Sequence, residues 1–118
     1  MLDLKHMIAN FTDHSSDGDA LKARIIEKLR TIFDPEIPVN IYDLGLIYEL
    51  DVSATGVVHV RMTLTAPNCP VAEGFPDVVQ DAIWLVDGVE EVNVELVWDP
   101  PWSKARMSES ARLQLGML

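Results

Sequence analysis

A single cysteine, Cys69, lies in the run Thr65-Ala66-Pro67-Asn68-Cys69-Pro70, and carboxylates recur at Asp34, Glu36, Asp43 and Asp99. Pro70 suits a first helical position, which places Cys69 at or just before a helix N-terminus. There, unpaired N–H groups and the helix dipole favour a thiolate. Carboxylates brought close would act in the opposite sense, since like charges disfavour it. A thiol among acids is poorly set up as a bare nucleophile. It makes better sense beside a cation such as iron or zinc. The plainer alternative is that Cys69 is a small buried hydrophobe and the acids are loop caps. Spacing alone leaves both open.

The remaining candidates are supporting ones. Thr65, at a strand end, is placed to donate toward Cys69, and Trp102, in a Pro-Pro loop, to cover the site. Trp98 reads as core or core edge, His59 as a surface residue in mid-strand, and His6 and His14 as solvated. There is no Walker loop, Gly-rich dinucleotide fingerprint, Cys-x-x-Cys or G-x-S-x-G elbow, which removes most familiar enzyme classes.

The elements that must position these residues follow from periodicity. Residues 1–19 read as a loose tail and 20–118 as one domain. Leu21, Ile25, Leu29, Ile32 and Phe33 recur at helical spacing, with Asp17 or Asp19 as N-cap and an end near Asp34, before Pro35. Leu46, Tyr48, Leu50 and Val52 alternate as a first strand. Val58, Val60, Met62 and Leu64 form the apolar face of a second, with His59, Arg61, Thr63 and Thr65 opposite. The short Ser53–Gly56 link makes them a hairpin. Val71 to Ile83 reads as a helix kinked or restarted at Pro76 and stopped by Asp87-Gly88. Val92, Val94, Leu96 and Trp98 form a third strand, and Ser108 caps a short last helix.

The predicted fold class is α+β, a two-layer α-β-β-α-β-α domain on a small three-stranded mixed sheet. The β-α-β unit makes strands two and three parallel. Their C-terminal ends and the start of strand one then share one sheet edge. That edge gathers Asp34-Pro35-Glu36, Asp43-Leu44-Gly45, Thr65 through Pro70 and Trp98 through Trp102.

Charge narrows the partners. Nineteen acidic against nine basic residues give −10, a field that disfavours nucleic acid and anionic membranes. Lys22, Arg24, Lys28 and Arg30 read as the solvated face of the first helix, or as a docking strip for an acidic partner. The N-terminus lacks the apolar core of a secretory signal, and no stretch is long enough to span a bilayer. One cysteine fits a reducing compartment, so the expected location is the cytoplasm.

Four separated segments carry a family pattern. They are Asp34-Pro35-Glu36-Ile37-Pro38-Val39-Asn40-Ile41-Tyr42-Asp43-Leu44-Gly45-Leu46-Ile47-Tyr48, Met62-Thr63-Leu64-Thr65, Cys69-Pro70-Val71-Ala72 and Val97-Trp98-Asp99-Pro100-Pro101-Trp102. In this order they resemble the metal–sulfur cluster biosynthesis domain family over about residues 20–118. That family includes SufT, the PaaD protein of phenylacetate degradation and the eukaryotic factor that targets cytosolic iron–sulfur clusters. The resemblance is greatest to SufT-like members. PaaD-like members carry a further cysteine-rich segment, which this sequence does not show.

The resemblance implies iron–sulfur cluster assembly or transfer, not catalysis, in a fold similar to the NifU-type cluster assembly domain. It maps the reactive cysteine onto Cys69 and the acidic motif onto Asp34, Glu36 and Asp43. Thr65, Pro70, Asp99 and Trp102 support them. Clusters take four protein ligands, mostly thiolates. The implied cargo is therefore a labile cluster or iron shared between two chains, which calls for a weak homodimer or a complex with assembly or client proteins. Otherwise the chain is an adaptor. Rival readings are a PaaD-like oxygenase factor, a thiol-dependent enzyme using Cys69 with Asp43 or Glu36 as base, and a KH-type RNA-binding domain. The last is opposed by the charge and by the lack of a G-x-x-G loop.

Overall fold

The computed structural model describes residues 18–65 and 74–117. The expected tail (save residues 18 and 19) and the stretch holding Cys69, Pro70 and Val71 lie outside the described residues. Helix α1 covers 18–29, so it is already formed ahead of Ala20, and Asp19 lies within it, not at a cap. Its Leu21, Ile25 and Leu29 are buried at four-residue intervals. It ends at Leu29, short of the expected Asp34. Thr31 N–H reaches back to the Lys28 carbonyl and Ile32 N–H to the Leu29 carbonyl, which tightens and closes the last turn. The cause is non-local. Phe33 forms an antiparallel bridge with Asn40, and Ile41 N–H donates to the Ile32 carbonyl, so residues 32–34 are drawn out of the helix into an extended pair.

Strands β1 (Ile47–Val52), β2 (Val57–Met62) and β3 (Glu91–Leu96) form one sheet in that order, β1 antiparallel and β3 parallel to β2. This is the mixed sheet expected from the hairpin and the β-α-β crossover. Leu50 faces Val60 and Val52 faces Val58, and the register shifts between Ile47 and Glu49 through a bulge. Helix α2 runs Phe75–Trp84, with Gly74 as N-cap and Pro76 in its first turn. Pro76 therefore starts α2 and does not kink it, while Pro70, expected at a first helical position, lies outside the described residues. A 3-10 turn, Lys104–Arg106, precedes helix α3, Glu109–Gln114. As expected, Ser108 caps α3, its hydroxyl accepting from Ala111 N–H.

The core joins Leu21, Ile25 and Leu29 of α1 with Val58, Val60 and Met62 of β2 and Phe75, Val79 and Ile83 of α2. Val94 and Leu96, which alternate with Val92 on the inner face of β3, are only partly buried because β3 is an edge strand. On the far face of the sheet His59 and Arg61 are exposed as expected, together with Glu91, Asn93 and Glu95, but Thr63 is fully buried. β2 ends at Met62, and Thr63 lies just past it, its N–H donating to the Leu46 carbonyl. There residues 97–106 cross back toward β1 and close that end of the sheet. Trp98 is 40% exposed, contrary to its expected place in or beside the core. No helix among the described residues is long and apolar enough to cross a membrane.

Candidate functional site

The sheet edge where the unusual segments were expected to meet is tied together by specific bonds. Met62 and Leu96 end their strands side by side, and the ladder continues as Val97 N–H donates to the Met62 carbonyl. Thr65 follows β2 here, half-buried. The 97–102 segment then turns toward β1, where the Tyr48 hydroxyl donates to the Pro100 carbonyl at 2.7 Å. The Trp102 indole N–H donates to the Leu44 carbonyl at 2.7 Å. Ser108 N–H donates to the Asp43 carbonyl at 2.8 Å. The Arg106 guanidinium stacks 4.2 Å from the Tyr48 ring centroid. The loop 43–45, the end of β2 and the 97–108 segment are thus one assembly.

Gly45 is the joint. Its φ of +80° is a conformation that L side chains rarely adopt, and a Cβ there would run into the Arg106 backbone. The close seating of the Lys104–Arg106 turn on the 43–45 loop depends on that missing atom.

The acids behave less alike than their spacing suggested. Asp34 is buried and accepts two backbone N–H bonds with Oδ2, from Glu36 at 2.9 Å and Ile37 at 2.7 Å. It caps its own loop as an Asx turn. Asp43 Oδ2 accepts from Asn40 Nδ2 at 2.9 Å, while Asn40 Oδ1 accepts from Asp43 N–H at 2.9 Å. Its Oδ1 faces Arg30 Nε at 3.7 Å, with the Asp43 side chain only 14% exposed. Arg30 also lies over the Tyr42 ring, 5.1 Å from its centroid. Glu36 and Asp99 are exposed. Among the described residues no three of His, Cys, Asp and Glu converge to hold a metal ion.

Asn40 and Tyr42 had no role assigned to them from the sequence, and Arg30 none at this site. Arg30 is exposed, as expected of the solvated face of the first helix, and it is also the cation facing Asp43. Arg24 likewise donates to the Asp87 carbonyl at 3.1 Å and ties α1 to the turn after α2. A signal for Asn40 existed: Asn-x-x-Asp has the reciprocal spacing of a capping box.

The family model for iron–sulfur cluster assembly proteins matches residues 22–96, well over half of the chain. The chain belongs to that family. Among curated relatives, an Fe–S protein maturation auxiliary factor of Porphyromonas gingivalis is 54% identical over 94 residues, covering 80% of this chain and 90% of the relative. The auxiliary factor YitW of Bacillus subtilis is 39% identical, covering 84% and 97%. A crystal structure of a Bacillus anthracis domain of unknown function superposes with a TM-score of 0.77 at 33% identity, covering 88% of this chain and 99% of that one. The α+β architecture with its three-stranded mixed sheet is thus that of the family. The family match also takes in Asp34, Glu36, Asp43, Thr65, Cys69 and Pro70, whereas Asp99 and Trp102 fall just beyond its C-terminal limit.

Proposed function

We propose that this protein is an accessory factor in the maturation of iron–sulfur proteins, an adaptor or carrier that works with SUF-type machinery in the cytoplasm and acts through Cys69. It is not an enzyme. The observation that carries the proposal is the 54% identity to an Fe–S protein maturation auxiliary factor across 80% of the chain. The bonded assembly of loop 43–45, the end of β2 and segment 97–108 supports a site at the edge from which the Cys69 stretch departs. A fold similar to the NifU-type assembly domain belongs to the same proposal.

In this reading the cluster is cargo. One chain supplies one thiolate, so a carried cluster or iron is shared by Cys69 of two chains in a weak homodimer, or by this chain and a donor or client protein. Asp34 and Asp43 contribute as builders of the loops, through the bonds to Asp34 Oδ2 and Asp43 Oδ2. Glu36 and Asp99, both exposed, are the carboxylates left to approach cargo or partner. Thr65 and Trp102 shape the edge, and a supporting role for Pro70, outside the described residues, belongs to the same proposal.

The test is anaerobic reconstitution of wild type and Cys69→Ser side by side, measuring iron, acid-labile sulfide and sedimentation. A carrier binds iron and sulfide as a dimer, and Cys69→Ser loses both, because a hydroxyl is a harder and less acidic ligand than a thiolate. An adaptor binds neither, yet Cys69→Ser still impairs maturation of iron–sulfur enzymes in cells. Unimpaired maturation with Cys69→Ser, together with loss of folding, would place the cysteine in the core and overturn the reading.

A further inference from the structure

The edge strand β3 offers its outer backbone. Glu91 N–H donates to the Gly56 carbonyl and Val97 N–H to the Met62 carbonyl. With the period of a parallel ladder, the odd-numbered residues of β3 therefore face β2. The N–H and C=O groups of Val92, Val94 and Leu96 point away from the sheet, and no described residue takes them. A groove of about 360 Å³ runs alongside, between α2 and the start of β3, lined by Gln80, Asp81, Trp84, Glu90, Glu91 and Val92. Trp84 is 54% exposed. No cation lines the groove, and none of the ion pairs among the described residues involves Asp81, Glu90 or Glu91.

We propose that this edge receives an extended basic segment of a partner protein as a fourth strand. Main-chain hydrogen bonds to Val92, Val94 and Leu96 supply affinity. Lys or Arg side chains over Asp81, Glu90 and Glu91 and against the Trp84 indole supply selectivity. Charge decides against a second copy as occupant, because pairing two β3 edges would set Glu91 and Glu95 against their like in a chain of net charge −10. The groove lies at the end of the sheet away from Thr65, and the proposal does not depend on Cys69.

The experiment titrates the full isotope-labelled chain with a short peptide alternating Lys with Val and Thr, and with its Gln-for-Lys counterpart. The Lys peptide is expected to shift the Val92, Val94 and Leu96 amide resonances, slow their hydrogen exchange and change Trp84 emission. Gln for Lys, the pair Glu90→Gln and Glu91→Gln, or raising salt from about 50 to about 500 mM should each weaken binding about tenfold. Val94→Pro removes the outward N–H, along with part of a half-buried side chain, and should abolish binding. If that variant fails to fold, Trp84→Ala, at an exposed position, should weaken it several-fold. Equal binding of both peptides, or shifts confined to other residues, would overturn the proposal. So would slow exchange of those amides in the free chain, because the edge would then be covered by the chain itself or by a second copy.

Discussion

Gly45→Ala tests whether the two halves of the candidate site are seated on each other as described. The perturbation adds one methyl group and has two separable costs. Holding Ala at a φ of +80° costs about 1–2 kcal/mol. The added Cβ also meets the Arg106 carbonyl group, which is backbone and cannot rotate away. Displacing a packed neighbour of this kind costs about 1–3 kcal/mol. The turn cannot move freely, because Arg106 is stacked on Tyr48 and Ser108 N–H is bonded to Asp43. The sum is a loss of roughly 2–5 kcal/mol, a large part of the ~5–15 kcal/mol that holds a domain together.

Gly116→Ala supplies the control. Its φ is +72°, but nothing lies within 4 Å of an added Cβ, so only the conformational cost applies. Urea denaturation of both variants then isolates the contact. With a slope of about 2 kcal/mol per molar, Gly45→Ala should lower the midpoint by roughly 1–2.5 M and Gly116→Ala by under ~1 M. Equal losses in the two variants would refute the reasoning, since the Lys104–Arg106 turn would not then rest on Gly45.

Substitutions at two further positions separate structural from functional roles. Asp34→Ala strips two backbone N–H groups of their acceptor and should cost about 1–3 kcal/mol in denaturation, with Asp34→Asn costing less. Unchanged stability with lost iron binding would instead make Asp34 a ligand. Thr63 is fully buried and its hydroxyl has no partner among the described residues. Thr63→Val should therefore raise stability by about 1 kcal/mol, and a loss of that size would show the hydroxyl bonded to a residue outside the described set.

What could be read from the sequence was what local periodicity and short connections decide. The alternation of Val58, Val60 and Met62 gave the buried face of β2, the Ser53–Gly56 link the hairpin, and the helix between β2 and β3 the parallel pair. From these the convergence of loop 43–45 with segment 97–102 followed without any contact being known. Non-local choices escaped. The bridge from Phe33 to Asn40 ends α1 early, and the bulge between Ile47 and Glu49 shifts the start of β1. Arg30 could be matched to Asp43 only once that bridge had folded the loop back on the helix.

The pairing of Arg30 with Asp43 also changes the chemistry that the site needs. A cation beside Cys69 was first called for to offset nearby carboxylates. Asp43 already faces a guanidinium, and Asp34 is occupied by the two N–H groups of its own turn. Asp34 and Asp43 therefore need no metal for their own electrostatic balance, and the case for cargo rests on the thiol and the family. With no group of three ligands among the described residues, one chain cannot enclose a cluster with them. Under the carrier reading, the cluster is then held only as firmly as two chains, or a chain and its client, hold each other. Such a shell gives up its cargo whenever a better set of thiolates takes the partner's place. Weak retention is what transfer demands, and under that reading one thiolate per chain would supply it.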